Sequence, residues 1–115
     1  MQSWDLTEIE APGGTTDPAV LMTDDGTRAI AIRLDPGQEL SDHQVRERAW
    51  LVVVEGEVEV QSGGDVVRGG VGTLATFDPS ERHAVSSVTG ARILLLLAPW
   101  PGDGHYPDDE TRPQP

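Results

Sequence analysis

The 115-residue chain contains no cysteine and no lysine; all eight of its basic residues are arginine. Without a thiol there can be no disulfide, no thiolate nucleophile and no cysteine-based zinc or iron–sulfur centre. Without lysine there is no Schiff-base chemistry. Twenty acidic residues against those eight arginines leave a formal charge of −12, which repels nucleic acid and anionic membranes and excludes both as expected partners. The longest apolar run, Ile93 to Ala98, is far too short to cross a bilayer. The opening MQSWDLTEIE has neither the positive nor the apolar region of a secretory leader. These absences lead us to expect a soluble, cytoplasmic protein.

Also lacking is any sustained 3.6-residue apolar period, so no major helix is expected. Strand signals recur instead, separated by turn chemistry. AVLMT (Ala19 to Thr23) is followed by Asp24, Asp25 and Gly26 and then by RAIAIRL (Arg28 to Leu34), a hairpin pattern. Asp35, Pro36 and Gly37 form the next turn, Gly56 bends a long extended stretch, and Ser62, Gly63 and Gly64 close another hairpin. In EVEV, Glu57 to Val60, valine alternates with glutamate, as a strand with one wet and one dry face requires. ILLLLA reads as a central strand buried on both sides, since Pro99 and Pro101 stop any helix there. Many short strands with regular turns predict an all-β sandwich or barrel. A chain of this length buries roughly two-thirds of its surface on folding, enough for one domain without staples. Residues 1–106 are expected to form that domain. Residues 107–115, with Asp108, Asp109, Glu110 and three prolines, offer nothing to bury and are expected to be a disordered tail.

Two spaced motifs carry a family resemblance. Gly37, His43 and Gly56, ending in VVEGE, fall at the spacing G-x5-H-x-H-x3-E-x6-G, and GTLATFDPSERHAVS places Gly72 and His83 at that of G-x5-P-x-G-x2-H-x3-N. The chain thus resembles the cupins, in particular small single-domain cupins of the cupin 2 conserved-barrel type. That resemblance implies a jelly-roll, or double-stranded β-helix, barrel over most of Arg28 to Ala98. It also implies a metal site of three histidines and a glutamate, of which only His43 and His83 remain. Val45 stands at the second histidine position and Ala49 at the glutamate. Asp78, Ser80 and Ser87 replace the proline, glycine and asparagine of the second motif.

Alternate strand positions share a face, so residues 43, 45, 47 and 49 would line the barrel interior if pairing stays regular. Two imidazoles without a carboxylate hold a divalent ion weakly, because catalytic sites use three protein ligands. We therefore expect no tightly bound cofactor. Glu47 and His105 are the two residues that could complete a site for manganese, iron, nickel, copper or zinc. A bulge in the family at this stretch argues against Glu47, and a Gly/Pro-rich setting argues against His105. The replaced ligands make the lining apolar, and His43, His83, Val45, Ala49, Leu51 and Phe77, with Val53, are the expected walls of a site for a small organic molecule. Three functions stay open: such a binding protein, a metal-dependent dioxygenase or isomerase completed by Glu47, His105 or water, and a filled barrel whose surface serves only assembly. In the last, His43 and His83 are pocket histidines satisfied by each other, by side chains or by water. Apolar Trp4, Leu6 and Ile9 suggest a homodimer that lends an N-terminal edge strand.

Overall fold

The computed structural model describes residues 1–9, 19–24 and 26–100, and at 41–43 the backbone alone. Nine strands follow one another: β1 (Ala19–Asp24), β2 (Thr27–Leu34), β3 (Glu39–His43), β4 (Arg48–Gly56), β5 (Val58–Ser62), β6 (Asp65–Gly69), β7 (Leu74–Phe77), β8 (His83–Ser86) and β9 (Ala91–Ala98). Among the described residues there is no helix. The strands pair antiparallel into two sheets, ordered β1-β2-β9-β4-β7 and β3-β8-β5-β6. The expected domain limit at 106, the tail from 107, and His105 lie outside the described residues.

Hydrophobic alternation decides which face each strand turns inward. Ile30, Ile32 and Leu34 on β2, Ala49, Leu51 and Val53 on β4, and Ile93, Leu95 and Leu97 on β9 come from one sheet, while Leu40, Val58, Val60 and Val85 come from the other; all join a single buried cluster. Val58 and Val60 are buried and Glu57 is exposed, as the EVEV pattern requires. The ILLLLA strand departs from expectation. β9 is central, between β2 and β4, but only Ile93, Leu95 and Leu97 are buried, while Leu94, Leu96 and Ala98 are half-buried. Among the described residues no second layer covers the outer face of that sheet, and the run's alternate side chains on it are half-buried.

Two local features close the barrel. Gly56 has φ +80°, and a Cβ there would lie 2.1 Å from the Gly90 carbonyl oxygen, so only glycine lets the end of β4 pass the turn before β9. At the other end Trp100 is buried beneath the Arg28 guanidinium, 4.7 Å above its ring, and exchanges two backbone hydrogen bonds with Gly26. Residues 1–9 form no strand; Ile9 lends its carbonyl to Arg92 Nη1 at 2.7 Å and Trp4 is exposed.

Candidate functional site

Strand register brings the two motif histidines together. His43 and His83 are direct antiparallel partners across β3 and β8, with an irregularity between Leu40 and His43. The His43 side chain lies outside what is described; that of His83 is defined in detail. Its ring is buried at 3 % exposure and stacks flat on Phe77, with centroids 3.9 Å apart and planes 7° from parallel. Its Nδ1 sits 3.1 Å from the carbonyl oxygen of Glu81. A carbonyl only accepts, so Nδ1 carries a proton, and in the neutral ring the lone pair falls on Nε2.

Glu81 itself is tied down. Its carboxylate accepts from the Ser62 hydroxyl and from the Asp78 backbone N–H, and these bonds, the Ser62 one foremost, hold its pKa below the ordinary glutamate value. The same single Ser62 proton is shared with the Arg82 carbonyl, 2.8 Å from the hydroxyl oxygen, so the end of β5 is stitched to the loop that delivers His83. Sequence reading missed Glu81; its position two residues before His83 is the only local signal, and the contact to Ser62 spans 19 residues.

Alternate residues from Val45 to Val53 face inward. Val45, Glu47, Ala49, Leu51 and Val53 are each at most 3 % exposed, while the residues between them are half-buried or exposed. The alternation runs unbroken through the stretch where a bulge argued against Glu47, whose carboxyl is therefore inside. Ala49 is the direct partner of Phe77 across β4 and β7, which sets their Cβ atoms about 5 Å apart on the same face. The ring of Phe77 thus fills the space beside Ala49 where the motif places a longer side chain.

The second-motif replacements serve the scaffold. Asp78 pairs with Arg48 at 2.9 Å, and Ser87 donates to the Glu57 carbonyl at 2.6 Å while accepting from the Gly90 N–H. Ser80 stands at the motif glycine and adopts φ +65°, a left-handed conformation that costs a non-glycine residue about 1 kcal/mol. The turn holds because the Ser80 N–H donates to the Val45 carbonyl at 2.7 Å.

Among the described residues no three of His, Cys, Asp and Glu are grouped to hold a metal. His83 and Glu47 supply two donors where a catalytic ion normally has three, and the inward places of two further ligands hold Val45 and Ala49. The described side chains alone do not fit a tight metal centre.

The model of the cupin domain family matches residues 31–98, and the chain belongs to that family. Solved structures agree on the fold. An RmlC-like cupin protein from Desulfovibrio desulfuricans superposes with a TM-score of 0.75 at 25% identity, covering 86% of this chain and 97% of that one. A conserved Klebsiella pneumoniae protein with a double-stranded β-helix domain gives 0.74 at 21%, covering 86% and 90%. A Thermus thermophilus protein gives 0.73 at 24%, covering 86% and 98%. No protein with a curated description matches the chain.

Proposed function

We propose that this cupin binds a small organic molecule at the end of the barrel where β3, β4, β7 and β8 converge. One observation carries the reading. Glu47 and His83 are the two titratable side chains among the buried polar residues described; Glu47 lies two residues before Ala49, whose strand partner Phe77 stacks on the His83 ring. A buried acid and a buried imidazole both cost free energy to desolvate, and such groups concentrate at binding sites. Val45, Ala49, Leu51 and Phe77 give apolar walls, His83 presents an acceptor nitrogen oriented by Glu81, and the Glu47 carboxyl favours a ligand that donates a hydrogen bond. A compact ring or branched chain with one hydroxyl or amino group matches that donor set.

A second reading rests on the register itself: His43 opposite His83, with Glu47 on the inward face, is a two-histidine, one-carboxylate set of the kind that suits iron, manganese or zinc. It would make the protein a metal-dependent enzyme of dioxygenase or isomerase type.

Proton NMR of the His83 ring, followed during titration with phenol, benzylamine and cyclohexanol, tests the first reading. Saturable shifts are expected with at least one probe and are lost in Glu47→Gln. Unmoved signals at 10-fold molar excess and upwards, to the solubility limit of all three, would refute it. Calorimetry with Mn²⁺, Ni²⁺ and Zn²⁺ tests the second; stoichiometric submicromolar binding that disappears in His83→Ala establishes the metal site instead.

A further inference from the structure

One inward row of the five-stranded sheet ends on a cation. Strand register runs from Arg28 on β2 to Leu97 on β9, then to Ala49 on β4 and Phe77 on β7. Leu97, Ala49 and Phe77 are buried, and Phe77 stacks on the His83 ring. Arg28 has the parity of buried Ile30, Ile32 and Leu34, and its guanidinium carbon sits 4.7 Å from the centroid of the Trp100 ring, itself part of the core cluster. The other strand arginines described face outward. Arg33, Arg48 and Arg92 each stand between two buried residues, and Arg68 is the strand partner of Glu59, which does too. Arg28 is therefore the one strand arginine on an inward row. An inward position that only closed the barrel would take an apolar side chain at less desolvation cost.

We propose that Arg28 is the anion anchor of the binding site, so that the molecule bound is a small organic acid, with a carboxylate at one end and a hydroxyl or amino group at the other. This rests on the organic-ligand reading above and narrows it to one substrate class. A guanidinium can hold both oxygens of a carboxylate at once. In a chain of −12, an anionic ligand needs a local cation to outweigh the general repulsion. The row also differs in sign from end to end. Arg28 is its basic pole. Phe77 leads at the other pole to His83, whose acceptor nitrogen takes a donated hydrogen bond, and the buried Glu47 carboxyl, two residues before Ala49, disfavours a second carboxylate beside it. The ligand's acid group is thus directed to Arg28 and its hydroxyl or amino group to His83. Two to three strand spacings, about 10–14 Å at the backbone, separate the poles. With both side chains reaching inward, the remaining span suits a single hydroxylated ring that bears a carboxylate.

The His83 ring signals, followed on the full chain at neutral pH during titration with 4-hydroxybenzoate, its uncharged methyl ester and phenol, provide the test. The parent is expected to bind the acid at least about tenfold more tightly than the ester, the difference a hydrogen-bonded charge pair makes. Arg28→Met keeps an apolar cover on Trp100 while removing the cation, and should bind acid and ester alike. Arg28→Gln should do the same, and decides the matter if Arg28→Met loses the parent's far-ultraviolet spectrum. A parent that binds phenol but gains nothing from the carboxylate overturns the anion anchor and leaves the organic-ligand reading standing. Silence from all three probes overturns both. A folded neutral variant that keeps the full preference for the acid also overturns the proposal, since the anion would then be held elsewhere.

Discussion

Rebuilding the family's ligands should expose what Phe77 is doing. Val45→His and Ala49→Glu restore the motif at positions that are 3 % and 1 % exposed and inward-facing, so both new side chains enter the barrel. Together they add about seven non-hydrogen atoms beside the Phe77 ring, and overpacking of that kind costs about 1–3 kcal/mol. A second buried carboxyl beside Glu47 adds several kcal/mol more without a cation. The sum, on the order of 5 kcal/mol, is comparable with the whole stability of a small domain. In EDTA the double variant should therefore unfold at least about 20 °C below the parent, taking about 4–8 °C per kcal/mol. Adding Phe77→Ala removes about six atoms from the spot opposite Ala49 and nearly conserves volume, so the triple variant should recover part of that loss. It should then gain about 3 kcal/mol of stability with Zn²⁺ at 100 times its dissociation constant. Calorimetric unfolding of parent, double and triple variants, each with EDTA and with Zn²⁺, reads every term. A double variant that melts within 5 °C of the parent in EDTA, at about 1 kcal/mol or less, would refute the claim that Phe77 occupies the missing ligand's space. A folded triple variant blind to Zn²⁺ would refute the convergence of positions 43, 45, 49 and 83.

Trp100→Ala should cost about 4 kcal/mol, from the lost ring and its Arg28 contact, whereas truncation after Tyr106 should leave the melting temperature within about 5 °C of the parent's; equal losses would place the true cap further along the chain. Ser80→Gly should raise stability by about 0.5–1 kcal/mol in urea titrations, because φ +65° is strained for serine and the bond to Val45 is kept; a fall would mean the hydroxyl has a structural task. Glu81→Gln tests the loop that orients His83. Its carboxyl pKa is lowered when folded, so the stability it contributes is present above the ordinary value of 4.5 and vanishes as pH falls through the lowered one. The variant should be about 1 kcal/mol weaker at pH 7 and converge with the parent as pH falls through that lowered value; a gap independent of pH would show that the charge is irrelevant.

The spacing of Gly37, His43, Gly56, Gly72 and His83, with strand-length alternation and no helical period, was enough by itself to determine an all-β barrel and to pair the two motifs. Those are local properties: a positive φ at a turn or a period of two along a strand needs no knowledge of what lies opposite. Which residues lack metal-ligand chemistry was equally legible, since Val45 and Ala49 are chemical facts before they are structural ones. Three matters waited for the tertiary structure because each depends on residues far apart in sequence. Glu47 is inside because the β3–β4 connection, held where the Ser80 N–H donates to the Val45 carbonyl, turns it inward before β4 begins at Arg48. Phe77 fills the lost ligand's space only because β4 and β7 pair at Ala49, and Glu81 orients His83 only because Ser62 reaches it across the β5–β8 pair. The apolar run of β9 looks the same in sequence whether a sheet is covered on one face or two. Only the layering of the strands decides that Leu94 and Leu96 face away from the core.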